Sequence, residues 1–328
     1  MAFLYFEKGL MRMIINILIL IIGFIVLIKG ADWFVDAASS LAENFHLSKM
    51  LIALTIVAFG TSAPELAVSI KSAFSGSGDI VLGNVIGSNI LNILLILGIA
   101  SCVHSLNVKN ATVKKELPII IMLSILLTIL MSDVIISGAK LNSLTRGDGI
   151  SILLFFMVFI YYLLSVMRNK VESENEKPKY GIVKSFLYTI IGIACLVLGS
   201  NAVVDSASII AKTLGVSERM ISLTIIALGT SLPELVTSVI ATSKGEYDIA
   251  IGNVVGSNIF NIGIVLGLPI ALFGGIPSFS INTIDLVTML VAAILLFVFS
   301  YNDRKITRKE GIIFLLIFVV YYSFVIIG

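Results

Sequence analysis

Two glutamates, Glu65 and Glu234, are the residues of this chain best suited to chemistry. Each ends the same short motif inside a long apolar run: GTSAPEL at 60–66 returns as GTSLPEL at 229–235, an offset of 169 residues. A carboxylate at the centre of a membrane-spanning helix costs at least about 2.5–3.5 kcal/mol. A chain that places two carboxylates in matched apolar positions is predicted to use both, and the use that suits them is to bind a cation.

The residues around each glutamate offer further oxygen ligands. Pro64 removes a backbone donor and frees the carbonyl of Gly60, and Pro233 does the same for Gly229. A membrane tolerates such a break only where the loose backbone is buried in protein or lines a wet cavity, so both breaks predict a cavity. Hydroxyls three and four residues before each glutamate lie on its face of the helix. These are Thr61, Ser62, Thr230 and Ser231.

A second repeated motif predicts a polar stripe. GNVIGSNILN at 83–92 returns as GNVVGSNIFN at 252–261. Polar residues spaced by four share one face of each helix: Asn84, Ser88 and Asn92, then Asn253, Ser257 and Asn261. The small-xxx-small pattern that lets helices approach closely is formed by Gly83 and Gly87, and by Gly252 and Gly256. One copy of either motif is often only a kink or a packing contact, but two copies at one offset favour a functional site.

The donor set indicates which ion the site selects. Carboxylates, hydroxyls, amide oxygens and loose carbonyls form a flexible all-oxygen cage, which suits calcium better than magnesium. Zinc and copper prefer nitrogen or sulfur, which the motifs lack. Two glutamates close together repel, so an empty site takes up cations or binds a proton. The charge pattern therefore predicts an exchanger, with calcium traded for sodium or for protons.

Composition places the chain in a membrane. Hydrophobic residues make up 58% of the 328 residues and charged residues 13%, too few to cover a soluble protein of this size. The net charge is +2 and the basic residues are scattered, so nucleic acid is not expected as a partner. We see no motif for covalent chemistry or phosphate binding, so we expect no enzyme and no cofactor.

Ten apolar segments are long enough to cross a membrane as helices. They lie at 13–42, 48–72, 79–103, 116–133, 148–168, 181–212, 217–242, 248–274, 282–300 and 310–327. The first segment resembles a signal peptide, but GADWFVDAASSLA at 30–42 matches GSNAVVDSASIIA at 199–211, so we assign it to the fold. The fold class is therefore an all-α membrane protein. We divide it into a first five-span repeat (1–167), a charged linker (168–180) and a second five-span repeat (181–328).

An odd number of spans per repeat inserts the two halves with opposite orientation, as in many secondary transporters. Odd-numbered connections carry twice as many Lys and Arg residues as the other face. Basic loops stay in the cytoplasm, so the linker is predicted inside and both termini outside the plasma membrane. The Tyr pairs at 161–162 and 321–322 are typical of interfacial anchors.

These motifs resemble those of the cation/calcium exchanger superfamily, in particular its sodium/calcium exchanger branch of prokaryotic type. The resemblance implies that Glu65 and Glu234 are the principal calcium and sodium ligands, joined by Thr61 and Thr230. It implies flanking sodium sites that involve the carbonyls of Ala58 and Ala227 with Ser88, Ser257, Ser62 and Ser231. Asn92 and Asn261 match the central positions, where some relatives carry Asp in the second copy.

The resemblance also implies a mechanism, in which spans one and six slide across the bundle. The linker is too short for the calcium-sensing insert of animal exchangers, so we expect no such regulation. Our leading interpretation is a sodium/calcium antiporter that works by alternating access in the plasma membrane. A calcium/proton antiporter with the same site is the alternative, and a cation channel is a third candidate. The expected partners are lipid and the transported calcium and sodium ions.

Overall fold

The computed structural model describes residues 2–168, 177–221, 224–225, 227–279 and 281–327, most of which are helical. Within these residues, seven helices are long and apolar enough to cross a membrane, and the bent pair Lys49–Thr61 and Ala63–Phe74 makes an eighth span if counted as one. The prediction of a multi-pass helical membrane protein is confirmed. Most of the predicted linker, 169–176, lies outside the described residues.

The helices follow the predicted apolar segments. The first half of the chain contains α1 (Ala2–Asn44), α2 (Lys49–Thr61), α3 (Ala63–Phe74), α4 (Gly78–Val103), α5 (Leu117–Leu130), α6 (Asp133–Ser137) and α7 (Arg146–Arg168). The second half contains α8 (Ile182–Thr213), α9 (Glu218–Ile221), α10 (Ala227–Gly229), α11 (Leu232–Ser243), α12 (Tyr247–Phe273), α13 (Thr283–Asp303) and α14 (Arg308–Ile327). Each predicted segment coincides with one of these helices or with a run of neighbouring ones.

Both GTSxPE motifs break their helices in the same way. α2 ends at Thr61 and α3 begins at Ala63, with Pro64 in its first turn, and the two helices meet at 48°. Proline is tolerated there because the first N–H groups of a helix lack partners in any case. Ser62, between the helices, has φ −82° and ψ 7°, and the matched Ser231 has φ −88° and ψ 5°. The predicted breaks are therefore present in both copies.

Turns of π-helix, which the sequence analysis did not predict, interrupt several helices. They lie at Leu91–Leu97 in α4, Asn261–Leu266 in α12, Ala53–Val57 in α2, and Thr112–Glu116 before α5. A π turn shifts the side chains around the helix axis and is common at functional sites. The turns in α4 and α12 begin at the end of the repeated GSNIxN motif, so both copies of that motif share one irregularity.

α4 and α12 form the centre of the protein. In their most apolar stretches, 72% and 83% of the residues are buried within the protein, compared with 11% in α14. The copy of the second motif in α12, 252–261, is buried throughout, whereas the copy in α4 begins at the exposed Gly83 and is buried from Ser88 to Asn92. The contacts of Gly252 and Gly256 with α2 agree with the predicted close approach. No described atom lies within 4 Å of a Cβ built at Gly83 or Gly87, and the matching partner positions 222 and 223 lie outside the described residues.

α1 packs most extensively against α8. Glycines seven residues apart face the partner helix on each side: Gly23 and Gly30 on α1, and Gly192 and Gly199 on α8. A Cβ at Gly199 would lie 2.8 Å from the backbone nitrogen of Leu27. The two helices therefore approach backbone to backbone, as small residues allow in a membrane.

Two short strand pairs tie loops together at opposite ends of the bundle. β1 (Leu106–Asn107) pairs antiparallel with β4 (Lys305–Ile306), and β2 (Leu144–Thr145) pairs with β3 (Gly275–Ile276). We number the loops between consecutive predicted segments as connections one to nine. The first strand pair joins connections three and nine, and the second joins connections four and eight. Each strand pair thus joins either two odd-numbered or two even-numbered connections, as the predicted topology requires. We call the end with the odd-numbered connections the linker end.

Candidate ion-binding site

Glu65 and Glu234 lie in the first turns of α3 and α11, directly after the two helix breaks. Each is only 1% exposed. The N-terminus of a helix carries partial positive charge, which favours an anion there. The carboxylates of the two glutamates lie near enough to interact electrostatically. The structure therefore brings the two predicted ligands together in the protein interior.

Each carboxylate is held by a serine from the other half of the chain. Ser62 Oγ donates to Glu234 Oε1 at 2.9 Å, and Ser231 Oγ donates to Glu65 Oε1 at 3.2 Å. Both serines occupy the non-helical position of a break, which turns their side chains across the interface between the halves. The sequence analysis placed each serine on the helix face of the glutamate in its own motif, but the helix break directs each hydroxyl to the glutamate of the other half. Their role as ion ligands stays a prediction.

The serines of the GSN motifs complete the same layer. Ser88 Oγ lies 3.2 Å from Ser231 Oγ, and Ser257 Oγ lies 3.0 Å from Ser62 Oγ. Two matched chains of hydroxyl oxygens, each drawn from both halves of the protein, thus end at a carboxylate: Ser88 and Ser231 at Glu65, and Ser257 and Ser62 at Glu234.

The threonines one residue earlier lie near the opposite glutamates. Thr61 Oγ1 donates to Asn253 Oδ1 at 2.9 Å and interacts with Glu234, while Thr230 interacts with Glu65. The hydroxyl oxygen of each threonine is therefore placed beside the carboxylate of the other half.

The predicted polar stripe divides into two parts. Asn84 Nδ2 donates to the backbone oxygen of Glu65 at 3.0 Å, and Asn253 Nδ2 lies 3.4 Å from the backbone oxygen of Glu234. These two asparagines hold the glutamate backbones, and the Oδ1 of Asn253 already accepts from Thr61 Oγ1. Asn92 is different, because its Nδ2 donates to Asn258 and its Oδ1 has no hydrogen-bond partner.

Among the residues that the structure describes, four buried side-chain oxygens of the two repeated motifs have no hydrogen-bond partner. They are Glu65 Oε2, Glu234 Oε2, Asn92 Oδ1 and Asn261 Oδ1. Buried polar atoms nearly always have partners, so a matched set without them needs an explanation. Hard oxygen atoms from two carboxylates and two amides are suited to calcium or sodium. Within the described residues no group of three or more His, Cys, Asp or Glu side chains occurs, so the acidic part of the site is the glutamate pair.

The backbone carbonyls differ from the prediction. The carbonyl of Gly229, expected to be loose, accepts a hydrogen bond from Ser200 Oγ of α8 at 2.7 Å, so it is not free. At the repeat offset, Ala31 corresponds to Ser200 and Gly60 corresponds to Gly229. Alanine has no hydroxyl, so Ala31 cannot donate the equivalent hydrogen bond to the Gly60 carbonyl. The Ala58 carbonyl already accepts from the Ser62 N–H at 3.0 Å and from Thr61 Oγ1 at 3.3 Å. The side chain of Ala227 lies outside the described part of the chain, and the roles of both alanine carbonyls stay predictions.

Asn89 and Asn258 belong to the site's network, although the sequence analysis did not select them. Asn92 Nδ2 donates to Asn258 Oδ1 at 2.9 Å, and Asn261 Nδ2 donates to Asn89 Oδ1 at 3.2 Å. Their repetition inside GSNIxN was the available signal. The stripe of residues spaced by four excluded them, because they follow Ser88 and Ser257 by one position and so lie about 100° around the helix.

A second matched pair of carboxylates lies outside the site. The Tyr162 hydroxyl donates to Glu116, and the Tyr321 hydroxyl donates to Asp285 at 2.9 Å. One tyrosine of each predicted interfacial pair therefore binds a carboxylate of a neighbouring helix. Neither carboxylate bonds to the glutamates described above.

Comparison with known proteins shows similarity over nearly the whole chain. The family model described as sodium/calcium exchanger protein matches residues 15–165 and 184–327. The putative antiporter CaxA of Alkalimonas amylolytica is 36% identical over 320 residues, which span 94% of this chain and 98% of that protein. The sodium/calcium exchanger MaX1 of Methanosarcina acetivorans is 30% identical over 94% of this chain and 97% of its own length. The solved structure of the sodium-calcium exchanger NCX_Mj, soaked with 10 mM Na⁺ and zero Ca²⁺, matches with a TM-score of 0.82 at 30% identity and covers 95% of this chain and 99% of that one.

Proposed function

The chain belongs to the sodium/calcium exchanger family, and from that membership and the site geometry we propose that it is an antiporter that exchanges sodium for calcium. Glu65 and Glu234 bind either ion in turn, and the protein alternates between states that open the site to opposite sides of the membrane. One observation carries this proposal: the glutamates and the central asparagines present four buried oxygens without partners, two from each half of the chain.

The charge of the site favours exchange over leakage. Asparagine occupies both central positions, 92 and 261, so the two glutamates give the site two formal negative charges. One calcium ion neutralises them, whereas three sodium ions would leave one positive charge. That charge would make transport voltage-dependent by about 2.3 kcal/mol per 100 mV. Two close carboxylates repel each other when no cation is bound, so the unloaded protein changes state poorly.

The architecture we propose is ten spans in two inverted repeats, 1–167 and 181–328, joined by the linker 168–180. The matched helix breaks and matched π turns support it, as does a family model that matches the chain in two segments. α1 and α8, packed across their glycines, are the pair that slides during transport. We place the protein in the plasma membrane, with the linker in the cytoplasm and both termini outside.

The remaining polar groups complete the ion sites in this proposal. They are the hydroxyls of Thr61, Thr230, Ser62, Ser231, Ser88 and Ser257 and the carbonyls of Ala58 and Ala227. The two hydroxyl chains that end at the carboxylates support the serines, and the position of each threonine near the opposite glutamate supports the threonines. The two carbonyls rest on the family resemblance alone.

The test is calcium uptake by sealed vesicles that contain the purified protein. Vesicles loaded with sodium should take up external calcium, and vesicles loaded with choline should not. E65Q should abolish the uptake. E116Q is the matched control, because Glu116 is also a buried carboxylate, 2% exposed, but lies outside the site.

The same assay separates the competing functions. Uptake that needs a proton gradient instead of sodium would show a calcium/proton antiporter. Uptake at channel-like rates with neither gradient would show a pore. Normal sodium-driven uptake by E65Q would refute the site itself.

A further inference from the structure

We propose that Asn258 is a positioning residue, which fixes the amide of Asn92 so that its oxygen, and not its NH₂ group, faces the transported cation. The inference deepens the proposed function and rests on it, because it takes the site to hold a cation. Asn92 and Asn258 are each 1% exposed, and they come from different halves of the chain.

The contact between the two amides is well defined. Asn92 Nδ2 donates to Asn258 Oδ1 at 2.9 Å, and Asn258 Nδ2 points at the backbone carbonyl oxygen of Asn89 at 3.5 Å. Asn92 Oδ1 is buried and has no hydrogen-bond partner in the described part of the chain. The three groups form a short relay from a backbone carbonyl in α4, through a side chain in α12, to a side chain in α4 again.

The contact with the Asn89 carbonyl, at 3.5 Å longer than a typical hydrogen bond, favours one orientation of both amides. A backbone carbonyl oxygen accepts hydrogen bonds and cannot donate, so Asn258 must turn its NH₂ group towards Asn89. Its oxygen then faces Asn92, which must turn its own NH₂ group towards Asn258. The Asn92 oxygen is left without a partner among the described residues, and the proposal assigns it to the cation. A fixed backbone atom thereby selects the end of the amide that the cation meets.

The orientation of the Asn92 amide matters because its C=O and NH₂ ends are similar in size but opposite in partial charge. Without an acceptor in α12, the Asn92 NH₂ group is free to turn to the carboxylates of the site, whose outer oxygens have no partners. The NH₂ group would then compete with the cation for those oxygens. It would also turn its partial positive charge towards the cation, in place of the amide oxygen.

The matched position in the other half is fixed less firmly. Asn261 Nδ2 donates to Asn89 Oδ1 at 3.2 Å, but Asn89 Nδ2 has no partner, so no backbone carbonyl determines which way the Asn89 amide points. The proposal therefore predicts an asymmetry: Asn258 matters more for ion affinity than Asn89 does. N89L is the matched control for N258L.

The first test measures the calcium affinity and the maximum rate of sodium-driven uptake in vesicles. N258L should weaken the apparent calcium affinity by about 10-fold, equivalent to about 1.4 kcal/mol, because one ligand oxygen is lost. The maximum rate at saturating calcium should stay within about 2-fold, since ground-state binding is what changes. N89L should change the affinity by less than N258L.

A second variant separates positioning from packing. A carboxylate presents an oxygen in either orientation, so N92D has no polarity to be set. N258L should therefore cost about 10-fold when residue 92 is Asn and less than about 2-fold in the N92D background. A loss caused only by disturbed packing would be the same in both backgrounds and would overturn the proposal.

A third variant and the behaviour of the unmodified protein test the proposal further. N258D is isosteric, and burial beside the Asn89 carbonyl favours its protonated form, which donates to that carbonyl and keeps the acceptor oxygen for Asn92. Its calcium affinity should therefore be no more than about 3-fold weaker than that of the unmodified protein; a loss of about 10-fold would overturn the proposal even if N258L does not fold. If the unmodified protein takes up no calcium, the proposed function fails and this inference falls with it. If the unmodified protein exchanges normally and N258L keeps full affinity, only this inference fails.

Discussion

Each glutamate of the site is held by the half of the chain to which it does not belong. Ser62 donates to Glu234 and Ser231 donates to Glu65. A buried carboxylate is stable only when its charge is compensated by hydrogen bonds or cations. The site is therefore complete only while the two halves are packed together, and a movement between the halves changes both carboxylates at once.

We predict that S62A and S231A each weaken calcium binding by about 10-fold or more, because a hydrogen bond to a charged group contributes about 1.5–3 kcal/mol. The calcium dependence of sodium-driven uptake in vesicles measures this loss. S75A removes an exposed hydroxyl in a loop and should have no effect. A calcium dependence like that of the unmodified protein in both site variants would show that the serines do not support the carboxylates.

Among the elements, α1 and α8 depend on their glycines. Added Cβ atoms at Gly192 and Gly199 would lie 2.7 Å from Phe34 Cβ and 2.8 Å from the Leu27 nitrogen. Neither Cβ nor a backbone nitrogen can yield as the end of a flexible side chain can. The close contact of the two helices therefore requires glycine at these positions.

G199A should separate α1 from α8 and destabilise the protein by about 1–3 kcal/mol, a typical cost of overpacking. The melting temperature in detergent and the rate of calcium uptake should both fall. G147A is the control, because a Cβ there meets only the Thr145 hydroxyl at 3.5 Å. Equal melting temperatures for the two variants would contradict the packing argument.

Ion pairs hold α1 to neighbouring segments at the linker end. Lys244 Nζ lies 2.7 Å from Asp32 Oδ1 and 2.6 Å from Asp36 Oδ1, and Lys179 Nζ lies 2.5 Å from Asp36 Oδ2. The hydrogen bond to Asp36 raises the pKa of the Lys179 ammonium, so this lysine stays charged. At the repeat offset, Lys244 corresponds to Ser75 at the other end of the bundle. Serine has no ammonium group, so the ion pairs of Lys244 have no counterpart at position 75.

K244M should loosen α1 from α11 at the linker end. A cysteine introduced by S40C, where the serine is 1% exposed, should then react about 3- to 10-fold faster with a thiol reagent. The measurement needs a background in which Cys102 and Cys195 are replaced by serine. K71M alters an exposed lysine at the other end and should leave the labelling rate unchanged. No acceleration in K244M would mean that the ion pairs do not hold this end closed.

The sequence predicted the elements better than their irregularities. Apolar length located the helices, and Pro64 and Pro233 located the breaks, because both signals are local. The Gly229 carbonyl was expected to be loose, but its partner Ser200 comes from another helix and no local rule reveals it. The π turns were not predicted, because an apolar segment has the same pattern of length and composition whether its helix is regular or contains a π turn.

A further repeat went unnoticed because its offset differs. LTRGDGI at 144–150 returns as ITRKEGI at 306–312, an offset of 162 and not 169 residues. In both copies the threonine N–H donates to the acidic residue three positions later, at 2.7 Å to Asp148 and 2.6 Å to Glu310. These are side-chain caps that start α7 and α14. The predicted loop between the fourth and fifth segments is longer than its counterpart, which shifts the register.

At the scale of the whole molecule, the two ends of the bundle differ in charge and in the loops they join. We predict that an epitope inserted in the linker is reached by antibody only after the membrane is permeabilised, while one at either terminus is reached in intact cells, because basic loops remain in the cytoplasm. A linker epitope exposed on intact cells would reverse the orientation. It would leave the site unchanged.

The central claim is that the two halves of the chain jointly hold one calcium ion between Glu65 and Glu234. Calorimetric titration of the purified protein with calcium tests it most directly, because it needs no transport. We predict one calcium ion per chain, displaced by sodium, and loss of binding in E65Q and in E234Q alike. Calcium binding of normal strength in either variant would contradict the claim.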